Sequence, residues 1–330
     1  MEHTESRFQS NPSANRRDPR LYHIASLGTL LAYGLFWLHF DLSLWQIAVT
    51  IGTALLTQYA GTRYAKLPFF DPKSALISSL SLCILLRTDH LAIAALASVV
   101  AIGSKFVFRW KDKHLFNPTN LALAVGLATG LGWISPGQWG QVAWFGFLIA
   151  CLGSLVVTRA ARADVTLTFL AFYLGLLYVR ALWLGDPLAI PFHQVESGAL
   201  LIFAFFMISD PKTTPDSRAG RIVYALCVAL AALYVQFGLF RPNGPLWGLI
   251  ACTPLVPLLD HLFPGARYVW TRPSTGSASP NSSLHINAQP SAGSHPQSVS
   301  VSLVSPTKEV LMRRTIVPSL LFALGLLAWS

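Results

Sequence analysis

VTLTFLAFYLGLLYVRALWL (residues 165–184) is an uninterrupted apolar run of twenty residues with one charge, Arg180. A helix rises about 1.5 Å per residue, so such a run matches the ~30 Å hydrocarbon layer of a bilayer. It follows Arg159 and Arg162 and ends at Gly185-Asp186-Pro187. Outward from it, nine further apolar runs lie before residue 265, at about 23–41, 43–60, 73–88, 90–105, 117–134, 139–158, 191–209, 221–240 and 244–263. The sequence therefore predicts an all-α polytopic membrane protein, a ten-helix bundle. Composition agrees, because 53% of the 330 residues are apolar and 12% charged, against roughly 25% charged in a soluble domain.

The connections alternate in charge. Arg7, Arg16, Arg17 and Arg20, then Arg63, Lys66 and Lys73, Lys105, Arg109, Lys111 and Lys113, Arg159 and Arg162, Lys212, Arg218 and Arg221, and Arg267 and Arg272 fall on one side. Arg87, Arg180 and Arg241 fall on the other, eighteen against three. The positive-inside rule then predicts a cytoplasmic N-terminus in the inner membrane. One missed or invented span would invert every later loop.

The net charge of +10 is spread between apolar runs and is not gathered in a stripe, so nucleic acid is not expected as a partner. Contact with anionic membrane lipid is expected. Four domains result: a basic segment over 1–22, the bundle over 23–264, a Ser- and Pro-rich polar tail over 265–312 expected to be disordered, and an apolar segment over 313–330. That last segment contains Pro318 and reads equally as an eleventh helix or an interfacial anchor.

Phe70-Asp71-Pro72, Phe116-Asn117-Pro118 and Ser209-Asp210-Pro211 share a helix-opening chemistry, an Asp or Asn cap before a proline at the first helical position. Gly185-Asp186-Pro187 and Pro242-Asn243-Gly244-Pro245 stand at matching places in the second half. Two readings remain open: ordinary capping, or two inverted five-helix repeats with a site between them.

The chain has no GxGxxG after a strand, no P-loop and no HExxH, so neither a Rossmann dinucleotide site, a P-loop phosphate site nor a zinc-hydrolase site is expected. Cys83, Cys151, Cys227 and Cys252 lack metal or haem spacing and read as core residues. Glu196 is an ionisable group inside an apolar run and a functional candidate, or else a side chain that reaches the interface. His193 reads as a structural histidine. The segments 105–120 and 210–221 combine cations with helix starts, a pattern suited to phosphate.

FFMISDPKTTPDSRAGRIVYAL (205–226), KHLFNPTNLALAVGL (113–127) and PLVPLLDH (254–261) together resemble the RnfD/NqrB family of membrane proteins, which contains RnfD of the Rnf electron-transport complex and NqrB of the Na+-translocating NADH:quinone oxidoreductase. The resemblance runs from about Asp18 to Arg267. It implies a urea-transporter-like bundle holding flavin, partnered by other membrane and redox subunits and by quinone, in a complex that couples electron transfer to ion movement. The family's electron-carrying members attach FMN to the threonine of a Ser-Gly-Ala-Thr motif. Here Trp133 to Gln141 contains no threonine, and Ser197-Gly198-Ala199 is followed by Leu200. Any flavin is therefore expected to be non-covalent, and Phe116, Asn117, Thr119, Asp210, Thr213 and Thr214 are expected to line a flavin or quinone site at the cytoplasmic mouth, with no catalytic residue of the chain's own. The other class consistent with the scaffold is a channel or small-solute permease.

Overall fold

The computed structural model describes residues 18–110, 113–134, 143–195 and 197–268. The polar tail, the final apolar segment and Glu196 lie outside the described residues. The described chain is mostly helical. Its helices are α1 (Pro19–Phe36), α2 (Leu44–Tyr64), α3 (Pro72–Leu85), α4 (Leu91–Val107), α5 (Pro118–Thr129), α6 (Ala143–Arg159), α7 (Ala163–Leu184), α8 (Ala189–Val195), α9 (Gly198–Ile202), α10 (Arg218–Leu233), α11 (Gly244–Cys252) and α12 (Val256–Leu262). Two-residue strands β1 (Leu86–Arg87), β2 (Arg109–Trp110), β3 (Lys113–His114) and β4 (Trp133–Ile134) pair antiparallel as β1 with β4 and β2 with β3. Wider π-helical turns extend α9 over Phe203–Met207 and α10 over Tyr234–Gly238, and a 3₁₀ turn at Thr253–Leu255 joins α11 to α12.

Among the described residues, three helical stretches are long and apolar enough to cross a membrane: Ala163–Leu184, Arg218–Gly238 and Gly244–Leu262. Large apolar side chains, among them Phe36, Leu56, Phe147, Leu182 and Trp183, point outward and are exposed. Lipid accepts such side chains at no cost in hydration, whereas water does not. This is an integral membrane protein.

Two expected crossings prove shorter than the sequence suggested. α3 has 14 residues and α5 has 12, about 21 and 18 Å at 1.5 Å per residue, short of ~30 Å. Gly130 ends α5 with φ +69, a conformation glycine adopts without a Cβ penalty. The two chains then run into β1 and β4, which satisfy each other's backbone groups. The eighth run is broken as well, into α8 and α9 on either side of residue 196.

Among the described elements, α3 packs on α1 and α2, α4 on α2 and α5, and α10 on α7 and α11. The groups α1–α5 and α6–α12 meet where α1 crosses α6 and where α5 crosses α11. The core runs through both groups, from Leu27 and Leu30 through Leu82 and Leu123 to Phe169, Phe203 and Tyr224.

Candidate functional site

A cavity of about 220 Å³ opens at the end of the bundle where α1, α3 and α5 begin. Its wall is drawn from both groups of helices. Arg20 and His23 come from α1, Gln58 from α2, Ser74 and Ser78 from α3, Lys105 from α4 and His114 from β3. Asn117 and Thr119 come from the start of α5, Phe206 from the π-helical extension of α9, and Ser209, Asp210 and Lys212 from the turn that follows it.

Local chemistry explains each position. Asp71 and Asn117 cap α3 and α5: their side-chain oxygens accept from the Lys73 and Asn120 backbone N–H groups, with proline next in the chain. These caps fix where the two short helices point their N-termini, the ends that carry partial positive charge. Asn117 also joins the two helix groups, since its Nδ2 donates to the Met207 carbonyl at 3.2 Å. The Thr119 hydroxyl donates to the Ser78 carbonyl at 3.4 Å.

Asp210-Pro211 does not open a helix, contrary to the sequence expectation. The Asp210 carboxylate accepts the Lys212 N–H at 2.9 Å, and its carbonyl accepts the Thr213 N–H at 3.1 Å and both threonine hydroxyls, at 3.3 and 3.1 Å. Side chains of this kind offer the backbone an alternative to helix. The following helix starts only at Arg218, capped by the Ser217 hydroxyl.

Of the six residues expected to form the site, Asn117, Thr119 and Asp210 share the cavity wall. The other three do not line it. Phe116 is buried against Phe108 in a separate apolar cluster, and Thr213 and Thr214 hold the turn. Arg221 and Lys113, cations read as phosphate candidates, are committed elsewhere. Arg221 Nε donates to Asp164 at 2.8 and 3.0 Å, and Lys113 sits between Asp216 and Asp260 at 2.9 and 2.7 Å. His193 is exposed, with its ring beside Phe192.

Charge around the cavity is arranged in two sets. At the rim Arg20 bonds both Asp18 and Asp71, and Lys73 bonds Asp18 at 2.8 Å. Burial opposes ionisation of Asp18, but the hydrogen bonds from Arg20 and Lys73 outweigh it and hold its pKa at about 2. Farther in, Lys105 is buried and its Nζ donates to the Ser74 carbonyl and hydroxyl at 3.0 and 2.9 Å. Desolvation, with the nearby cations Lys105, Arg109 and Lys212, lowers the His114 pKa to about 3, so its imidazole is neutral at physiological pH. Burial raises the pKa of Asp210.

Among the described residues, three polar atoms of cavity-lining side chains have no hydrogen-bond partner: Gln58 Oε1, His23 Nε2 and His114 Nδ1. His23 also lies against Phe206, ring centres 5.3 Å apart and the planes tilted by 50°. Buried polar atoms are rarely left unpaired, and all three belong to side chains that line the cavity. Sequence reading missed Arg20, His23, Gln58 and His114 as wall residues, and held Lys105 and Lys212 only as cations near helix starts. His23, Gln58 and Lys105 carried a usable signal, being polar groups inside apolar helices.

The sequence matches a family model described as the NQR2, RnfD, RnfE family over residues 124–269. The chain is 30% identical over 139 residues to the D component of the ion-translocating oxidoreductase complex of Erwinia tasmaniensis, covering 41% of this chain and 36% of that protein. It is 34% identical over 140 residues to the corresponding D component from Klebsiella pneumoniae, 41% and 37% of the two chains. With the D component from Citrobacter koseri it shares 31% over 137 residues, 41% and 37%. The match thus spans little more than a third of these relatives' length. The resemblance read from the motifs is borne out over residues 124–269. That span includes the 205–226 stretch and leaves most of the Asn117-Pro118 element upstream.

Proposed function

We propose that the chain is an inner-membrane subunit, N-terminus cytoplasmic, of a complex that couples flavin-linked electron transfer to ion translocation. The cavity is its flavin site, at the cytoplasmic mouth. The observation that carries this reading is the match to the D components of ion-translocating oxidoreductase complexes over residues 124–269. That stretch supplies the cavity wall from Phe206 to Lys212.

Ten crossings in two inverted halves are the architecture this reading prefers, because the helices divide at α5 and α6 into two groups that meet around the cavity. The capping asparagine and the Asp210 turn then face each other from the two halves. A flavin supplies one- and two-electron transfer; the protein supplies position and electrostatics. Gln58 Oε1 and neutral His114 Nδ1 accept from ligand N–H or hydroxyl groups. Asn117 and Thr119 hold the α5 N-terminus in place. Lys105, whose Nζ is held by the Ser74 carbonyl and hydroxyl, offers a further hydrogen-bond donor to the ligand. The partners are further membrane and redox subunits, with quinone as an acceptor and lipid around the exposed apolar belt.

Full-length protein purified in mild detergent is expected to be yellow and to bleach reversibly with dithionite. Acid precipitation should leave the flavin in the supernatant, since Ser197-Gly198-Ala199 is followed by Leu200 and not threonine. Protein that stays colourless after incubation with FMN and with riboflavin would overturn the flavin assignment.

A further inference from the structure

The turn between α6 and α7 holds two arginines that take no part in the cavity wall. α6 ends at Arg159, and the chain reverses there with the Arg162 N–H donating to the Val157 carbonyl at 2.8 Å and the Ala161 N–H to the Thr158 carbonyl at 3.2 Å. Glycine is usual at the left-handed position of this motif, yet Ala161 occupies it with φ +52. The turn is tight, and it sets Arg159 and Arg162 on either side of a strained residue.

Each guanidinium lies over a tyrosine ring. Arg159 Cζ stands 4.8 Å from the centre of the Tyr22 ring, and Arg162 Cζ 4.9 Å from that of Tyr268, within the range of cation–π attraction. Such stacking engages the face of a guanidinium and leaves its N–H edges for an anion. Arg159 is exposed. Arg162 is 5% exposed, and among the described residues its hydrogen bonding is limited to Nη1 on the Ala161 carbonyl at 3.2 Å, while its buried Nε has no partner. Nε and Nη2 form an edge that matches two oxygens of a phosphate or carboxylate. The carboxylates nearby are engaged elsewhere, Asp164 by Arg221 and Asp216 by Lys113. α7 starts at Ala163 with no side-chain cap, so its first backbone N–H groups and its dipole face the same turn.

Apolar side chains flank this polar spot. Leu155, one helical turn before Arg159, and Leu167, one turn after Ala163, are exposed at 39% and 63%. A soluble anion gains nothing from them, whereas a phospholipid can set its phosphate at the turn and its acyl chains against the two leucines. Basic sites between membrane helices on the cytoplasmic side suit anionic headgroups.

We propose that the α6–α7 turn binds an anionic phospholipid of the cytoplasmic leaflet, its phosphate held between Arg159 and the Nε–Nη2 edge of Arg162 and its acyl chains lying along Leu155 and Leu167. It does not depend on the flavin reading of the cavity.

Native mass spectrometry of the full-length protein in detergent, titrated with phosphatidylglycerol and with phosphatidylcholine, measures the lipid retained. Phosphatidylglycerol should bind at least about fivefold more tightly, the effect of roughly one arginine at a membrane surface. Arg159→Gln and Arg162→Gln should each cut that preference several-fold. Arg63→Gln, at an exposed arginine in the last turn of α2, should leave it unchanged. Arg159 is exposed, so its variant decides the matter even if Arg162→Gln fails to fold. Equal retention of the two lipids, a preference that survives Arg159→Gln, or an equal loss in Arg63→Gln overturns the proposal. Displacement of phosphatidylglycerol by the same concentration of glycerol phosphate would assign the turn to a soluble anion and overturns it as well.

Discussion

Lys113→Met is expected to cost about 3–5 kcal/mol and to abolish most expression of folded protein, as loss of one partner from a buried ion pair does. Lys113 is 9% exposed, and its ammonium sits between the Asp216 and Asp260 carboxylates at 2.9 and 2.7 Å while donating to the Thr214 carbonyl at 3.0 Å. Asp260 in turn accepts the Asp216 N–H at 2.7 Å. One lysine from β3 therefore ties α12 to the turn that carries Asp210. Removing it leaves uncompensated charge, and here two like charges are stranded side by side. Thermal unfolding in detergent measures the loss. Asp260→Asn added to Lys113→Met should recover part of it, because it removes one of the stranded charges. A Lys113→Met protein as stable as wild type would show that the cluster is solvated and does not hold the turn.

The second large effect lies at the contact of α10 with α11. A Cβ on Gly248 would stand 2.8 Å from both the Ala232 nitrogen and the Val228 oxygen, and one on Gly244 would press closer still on the Ala232 oxygen. All three are backbone atoms, so no side-chain rotation relieves the clash and the helices must separate. Small residues four apart let membrane helices approach this closely, where van der Waals contact is a main source of association. Gly248→Val should therefore cost about 3 kcal/mol, the upper end of ordinary overpacking, read as a lowered melting temperature. Gly28→Val, where a Cβ meets nothing within 4 Å, should leave stability nearly unchanged. Equal stability of the two variants would contradict the packing.

Much of the helical pattern is readable because apolar runs must be helical once the backbone is withdrawn from water. Asp71-Pro72 and Asn117-Pro118 announce their helices through caps that need only local atoms. Asp210-Pro211 looks the same in one dimension and behaves differently, since Thr213 and Thr214 turn their hydroxyls onto the Asp210 carbonyl and delay the helix to Arg218. The short α3 and α5 could not be measured from hydropathy. Leu86-Arg87 and Trp133-Ile134 continue the apolar pattern while leaving the helix to pair with each other. The cavity was half legible. Asn117, Thr119 and Asp210 stand in recognisable motifs, but His23, Gln58 and Lys105 reach the same wall from three helices, a meeting that only packing decides. Phe116 was drawn into the expected site by its place beside Asn117, yet the chain turns it to the opposite side, against Phe108.

Whether this membrane protein works inside a redox complex is decided by isolating the tagged full-length chain from its native membranes. Flavin- and iron–sulfur-bearing subunits should co-isolate with it in stoichiometric amounts, and the bound flavin should be reduced when the complex is given its electron donor. Isolation of the chain alone or as copies of itself, together with passive flux of a small neutral solute through vesicles containing it, would contradict the account and make the protein a permease.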